Sequence, residues 1–480
     1  MTHRQRTHRT GTPMRFRTGV LLTAALTPLA LSAPAAHAAT AAAPYDFNGD
    51  GRADLAIGAP GATVGGKAKA GAVSVVYGST SGLKSSTYTL ITQNTTGVPG
   101  TAEADDAFGT AVASADLNTD GYADLLIGAP GEDLSGDTNA GMVTVVWGSA
   151  SGLSGARTFT DPFRTDYDRY GKALAAGDFD GDGDPDVAVG STGSIVLTTT
   201  DGPFTKTGAF NGSEGSGNGW WNGAYGVEHL SSGDVTGEGL DSLILHSRAL
   251  NSDDAVTAVA DGRISNYMDW LRKLPGGYAS SVGDIDGDGH ADIAVGNHRE
   301  PSADPAGAKG GKVTVVYGGP DGPDTTRTPL VLTQNTAGVP GASETGDRFG
   351  GSVSLGDLNG DGHADLAIGT PGENTDTGMI TVLFGSATGL KTTGVQSFTQ
   401  NTAGVPGVSE TGDRFGGRVE IADRAWLAVS APGENGGDGA AWSLRTTSTG
   451  LTTTGATIFG PSSTGVSTAG SPGYGTTLGG

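Results

Sequence analysis

A nine-residue acidic segment occurs five times in this chain: DFNGDGRAD from Asp46, DLNTDGYAD from Asp116, DFDGDGDPD from Asp178, DIDGDGHAD from Asp284 and DLNGDGHAD from Asp357. Every copy has oxygen-bearing side chains at positions 1, 3, 5 and 9 and glycine at position 6. The residues are Asp46, Asn48, Asp50 and Asp54; Asp116, Asn118, Asp120 and Asp124; Asp178, Asp180, Asp182 and Asp186; Asp284, Asp286, Asp288 and Asp292; and Asp357, Asn359, Asp361 and Asp365. Hard divalent cations take several oxygen ligands at about 2.3–2.6 Å, and alternate residues of a tight loop converge on one point. Glycine at position 6 allows the sharp turn this needs. A plain Asp/Gly-rich surface turn accounts for one such segment, not for five with the same spacing. The segments are therefore read as calcium loops.

The residues just beyond each segment separate these loops from the helix-flanked EF-hand, which closes with a bidentate Glu at position 12. Position 12 holds Ile57, Ile127, Val189, Val295 and Ile368, none of which binds a cation. The runs DLAIG, DLLIG, DVAVG, DIAVG and DLAIG are short, apolar and β-branched, the pattern of a buried strand.

The loops lie inside a larger repeat. An aromatic-Gly pair or its remnant stands about eight residues before the acidic position: Phe108-Gly109, Tyr170-Gly171, Tyr225-Gly226, a degenerate Gly277-Tyr278, Phe349-Gly350 and Phe415-Gly416. GAP or a variant comes after the loop, and then an alternating strand recurs seven times, from GAVSVVYG to GAAWSLRT. Several units add a fourth strand ending in TQN and a shared VPG…ETGD connection, read as scaffold. Seven units of four short strands, spaced by about 63 residues, predict an all-β, seven-bladed β-propeller. A linear solenoid is the competing arrangement, but its repeats are shorter.

The ends of the repeat array bear on ring closure. The first unit opens at Tyr45-Asp46 without the strand that precedes the loop elsewhere, and Tyr474–Gly480 (YGTTLGG) matches that missing strand. Residues 474–478 are expected to pair as the innermost strand of the first blade, joining the two ends of the ring and removing its open edges.

Five arginines, an apolar stretch from about Val20 to Leu31, and Ala36-His37-Ala38 read as a secretory signal over residues 1–38, cut after Ala38. A short leader (39–44) and the propeller (45–480) come next. The expected location is therefore secreted or extracellular, with surface association open. No other segment is suited to crossing a bilayer. There is no cysteine, and 51 acidic residues against 28 basic ones give a net charge of −23, so nucleic acid is not an expected partner.

The aromatic-Gly, DxNxDGxxD and GAP signatures together resemble FG-GAP repeats, the units of the integrin α-subunit amino-terminal propeller. Similar repeats occur in bacterial secreted proteins and in the propeller of glycosylphosphatidylinositol phospholipase D. The resemblance covers about residues 45–480. It implies Ca²⁺ in hairpin loops on one face, held by the side chains at positions 1, 3, 5 and 9 and by the backbone carbonyl at position 7. That adds Arg52, Tyr122, Asp184, His290 and His363 as carbonyl donors. Two units depart from the pattern. The fourth reads DVTGEGLDS from Asp234, with Asp241 one place early, and the seventh shrinks to a tight hairpin around Asp423. About five ions are expected.

No GxSxG, HExxH or P-loop motif is present, and no catalytic residue is assigned. His290 and His363 are expected to be exposed loop side chains, and His229 and His246 structural. Trp220 and Trp221, in the Gly/Ser-rich stretch Asn211–Gly226, either stack on a sugar or anchor a protein, or else plug a gap between blades. The favoured function is a calcium-braced binding or adhesion module, monomeric, with an extracellular protein or glycan ligand. A hydrolase or lyase on the same scaffold and a structural envelope or matrix protein are the alternatives.

Overall fold

The second strand of six blades has no exposed face. Leu55–Ala59, Asp124–Ala129, Asp186–Gly190, Asp292–Asn297, Asp365–Thr370 and Trp426–Ala431 are buried at every position. Such strands need cover on both sides, and stacked sheets supply it. In the computed structural model, seven four-stranded antiparallel sheets do so. Described are residues 41–480 except 81, 85, 166–167, 193–194, 208–209, 211, 217–225, 249–254, 261–271, 304 and 423. Among them helix is confined to three four-residue turns. The expected seven-bladed propeller is present.

Blades two to seven use four consecutive strands each, and blade one takes its innermost strand from the far end of the chain. Thr477–Gly479 pairs antiparallel with Leu55–Ala59, with Ile57 opposite Leu478. The paired strand begins three residues later than expected. Tyr474 instead forms a parallel bridge to Gly439 of blade seven and is fully buried there. Gly475 N–H then donates to Gly58 O (3.0 Å), and Thr477 Oγ1 donates to Thr110 O of blade two (2.8 Å). The tail thus touches blades seven, one and two.

The FG and GAP glycines have a shared reason. A Cβ on Gly128 would sit 1.9 Å from the Gly171 carbonyl oxygen, and one on Gly58 would sit 2.3 Å from that of Gly109. The GAP glycine of one blade is where the FG glycine of the next crosses it, too close for any side chain. The ring before that glycine is buried in Phe108, Tyr170, Phe349, Phe415 and Tyr474.

The TQN and GAP-proximal loops act as stitches between blades, in keeping with a scaffold role. Gln93 Nε2 donates to Glu132 Oε2 (2.5 Å), Gln334 to Glu373 (2.6 Å) and Gln400 to Glu434 (2.6 Å). Each glutamine stands two residues past the outer strand of one blade, and each glutamate comes after the second strand of the next.

The seven inner strands enclose an axial cavity of about 710 Å³. At its acidic-loop end the entering chain crosses to blade two: Ala42 N–H donates to Asp116 Oδ2 (3.1 Å) and Tyr45 N–H to Ser114 Oγ (2.9 Å).

Candidate metal centres

Four of the acidic loops join the inner strand of a blade to its second strand, and the first leads from the entering chain into Leu55–Ala59 of blade one, so all of them emerge on one face, one per blade. The first aspartate folds the loop around itself. Asp46 accepts the N–H groups of Asp50 (3.0 Å, on Oδ1) and Gly51 (2.8 Å, on Oδ2). Asp116 does the same for Asp120 and Gly121, and Asp357 for Gly360, Asp361 and Gly362. Asp178 and Asp284 repeat the pattern.

The ninth-position aspartate closes the loop from the other side. Asp54 Oδ2 accepts the N–H of Phe47 (3.1 Å) and Oδ1 that of Gly78 at the end of the third strand (2.7 Å). Asp124 pairs with Leu117 and Gly148, Asp186 with Phe179 and Gly202, Asp292 with Ile285 and Gly318, and Asp365 with Leu358 and Gly385. This role is not contained in a ligand-spacing motif, because one donor lies in another hairpin. Burial, reinforced by the neighbouring loop carboxylates, pushes Asp54, Asp186, Asp292 and Asp365 up to about 7 and Asp124 to about 8, against the two backbone donors. A bound cation reverses that balance.

The donor set fits a hard cation. Carboxylate oxygens of Asp178, Asp180 and Asp186 lie within 4.8 Å of one another, as do those of Asp284, Asp286 and Asp292. Asp286 Oδ1, and both amide atoms of Asn118, are buried without a hydrogen-bond partner. These are third-position side chains, and buried polar atoms left unpaired are costly. Asp201, not anticipated from the repeat, joins Asp180 and Asp182 in a further exposed acidic group. Three loops also meet a basic side chain: Lys206 Nζ is 2.8 Å from Asp120, Arg327 Nη1 is 2.5 Å from Asp286 and Arg424 Nη2 is 2.9 Å from Asp357.

Position 7 differs from expectation. His290 and His363 are half-buried and not free loop side chains. His290 Nδ1 lies 2.7 Å from Thr236 O in blade four, over Gly237, and His363 covers Gly287. Tyr122 covers Gly49 in the same way, and Leu240 covers Gly181. The position-7 side chain is a wedge against the fourth-position residue of the preceding blade; Arg52 is exposed and Asp184 half-buried.

In blade four, Asp234 keeps its turn, accepting from Gly237 and Gly239 (2.7 Å each). Asp241 turns away and accepts the N–H of Asp178 in blade three (3.2 Å), while buried Ser242 holds the ninth position. Blade seven makes a tight turn, Ala422 pairing with Trp426; Asp423 itself lies outside the described residues, as do Trp220 and Trp221.

A family model described as FG-GAP repeat matches residues 38–76, 108–146, 170–209, 276–316 and 349–383, passing over the two blades that depart from the pattern. The chain is an integrin-like FG-GAP β-propeller. It is 37% identical over 162 residues to phosphatidylinositol-glycan-specific phospholipase D of Rattus norvegicus, covering 34% of this chain and 19% of that protein. It is 28% identical over 221 residues to integrin alpha-PS2 of Drosophila melanogaster, covering 42% and 15% respectively. The FG-GAP propeller therefore matches less than a fifth of either relative. A solved GH74 xyloglucanase from Xanthomonas campestris is similar over 67% of this chain and 43% of its own, at 14% identity and a TM-score of 0.39, too loose to bear on function. No helix among the described residues is long and apolar enough to cross a membrane.

Proposed function

We propose that this propeller is a secreted, calcium-braced binding module whose five acidic loops each hold one Ca²⁺. The observation that supports it most is the distribution of the carboxylates. They stand one loop per blade around a single face, each folded on its own aspartate, and do not converge on one cleft. The ligands are the side chains at positions 1, 3, 5 and 9 with the position-7 carbonyls of Arg52, Tyr122, Asp184, His290 and His363. Bound calcium neutralises clustered like charges that otherwise repel across each hairpin. The propeller then presents its opposite face to an extracellular protein or glycan. Residues 1–38 act as the export signal.

Calcium titration with calorimetric melting of the mature chain tests the metal. The melting temperature rises with Ca²⁺ and falls with chelator, because a ligand that binds only the folded state stabilises it by mass action. A melt indifferent to both sinks the calcium assignment. A glycan and protein binding screen, run alongside a panel of polysaccharide and phosphoester substrates, separates the module from a hydrolase or lyase. Turnover without durable binding favours the enzyme.

A further inference from the structure

Blade seven places two charged side chains in the axis of the ring. Arg418 and Glu420 flank Val419 at the start of its inner strand, and alternation along a strand sends both to the same side. Both line the axial cavity, where most other positions are Ala, Ser, Val or Leu. Neither finds the other. Among the described residues, the Glu420 carboxylate has no hydrogen-bond or ion-pair partner, and the guanidinium of Arg418 makes one long bond, from Nη1 to the carbonyl of adjacent Gly417 (3.4 Å). Arg418, at the start of the inner strand, is exposed, and Glu420, two residues further in, is half-buried. Desolvation holds Glu420 up at about 8. A guanidinium at the rim of the channel with no carboxylate partner is free to take an anion from solution.

We propose that the axial cavity binds the acidic end of a saccharide, with a carboxylate or sulfate held by Arg418 and a hydroxyl held by Glu420. The proposal rests on reading the chain as a binding module and names the ligand class and site. The planar fork of a guanidinium matches either anion with two parallel bonds. A protonated carboxyl at Glu420 offers a donor and an acceptor, as a sugar hydroxyl requires. Lys172, Glu228 and several serines also line the cavity, which suits a polar ligand better than a lipid; the hydroxyls of Ser231, Ser281 and Ser354 are themselves hydrogen-bonded to Ser280, Leu355 N–H and Ile421 N–H of neighbouring blades. The volume falls within the range of about 300–1,000 Å³ usual for small-ligand sites. Residues 43–45 line the acidic-loop end, and Glu420 acts electrostatically on Tyr45 there. Entry is therefore from the opposite mouth. At that mouth stands Tyr278, its ring 4.9 Å from that of His298 and beneath the Arg299 guanidinium.

The test is isothermal titration of the mature chain, in calcium buffer, with digalacturonate, a chondroitin sulfate disaccharide and neutral digalactose. Binding of either acidic sugar but not the neutral one is expected, and which of the two binds identifies the anion. Arg418→Gln lowers that affinity by about tenfold or more, and Glu420→Gln lowers it less. Both variants should melt close to the parent, since the fold draws on neither side chain beyond the long Arg418–Gly417 contact. If Arg418→Gln does not fold, the Glu420→Gln variant and competition by digalacturonate methyl ester carry the test. Failure of both acidic sugars to bind overturns the proposal. Acidic-sugar binding that both variants leave intact also overturns the channel site, while leaving the binding-module reading standing.

Discussion

Arg424 Nη2 stands 2.9 Å from Asp357 Oδ2, across the seam between blades seven and six. Its backbone N–H also donates to the Asp357 carbonyl (3.2 Å), as Ala364 does to Asp284 one seam earlier. Where the shortened hairpin of blade seven has no acidic loop, an arginine occupies the place of the wedge and puts its charge on the neighbouring first-position carboxylate.

Arg424→Gln should therefore tighten calcium at the blade-six loop, since a competing cation is gone. The pair is largely exposed on the arginine side, so the cost to calcium-free stability is small, about 0–1 kcal/mol. Titrating calcium into parent and variant checks this; identical isotherms contradict it.

Asp365→Ala and Asn359→Ala should part company in chelator. The first strands two buried N–H donors, those of Leu358 and Gly385, and loses about 2–5 kcal/mol whether or not calcium is present. The second loses little in chelator but gives up part of the calcium-dependent rise in melting temperature. Equal losses for both in chelator would mean that the ninth position is no bracket.

Removing Tyr474–Gly480 should destabilise the ring by at least about 5 kcal/mol, from lost burial of Tyr474 and Leu478 and an unpaired edge on blade one. Tyr474→Ala alone is expected to cost about 3–5 kcal/mol. Denaturant melts with the m-value monitored would show both.

His229 and His246 face each other across blade four, ring centroids 5.4 Å apart. Burial, helped by Arg418 near the first and by His229 near the second, holds them down at about 4 and about 3. Both folded values lie below the ordinary 6.5, so the unfolded chain takes up protons first as pH falls. Each histidine then withdraws stability at about 1.4 kcal/mol per pH unit, from about pH 6 down to its folded value. His246→Gln should flatten the acid limb of a stability–pH profile, and an unchanged slope between pH 6 and 4 speaks against it.

Much of the fold was legible because the repeat carries its own redundancy. Glycines, aromatics and apolar runs at fixed offsets specify blades, and YGTTLGG marks the closing strand to within three residues. The features no motif contains lie between motifs of one blade or between blades. The second N–H partner of each ninth-position aspartate, the wedge role of His290 and His363, and the Gln93–Glu132 stitch join residues with no fixed spacing within one motif. Arg418 and Glu420 are hidden for another reason: they belong to one of the two blades that depart from the pattern, and only the ring geometry shows that they line the axial cavity.

The pairing of Ile57 with Leu478 also sets an order of events. The earliest sheet to be made cannot be finished until nearly the whole chain is available, because its fourth partner comes last. Until then the Leu55–Ala59 strand is an unguarded template for foreign pairing. Assembly is thereby weighted toward a late, all-or-nothing step with very long-range contacts, the slow regime for folding. Transport across a membrane as an extended thread, with folding on the far side, suits a ring built this way.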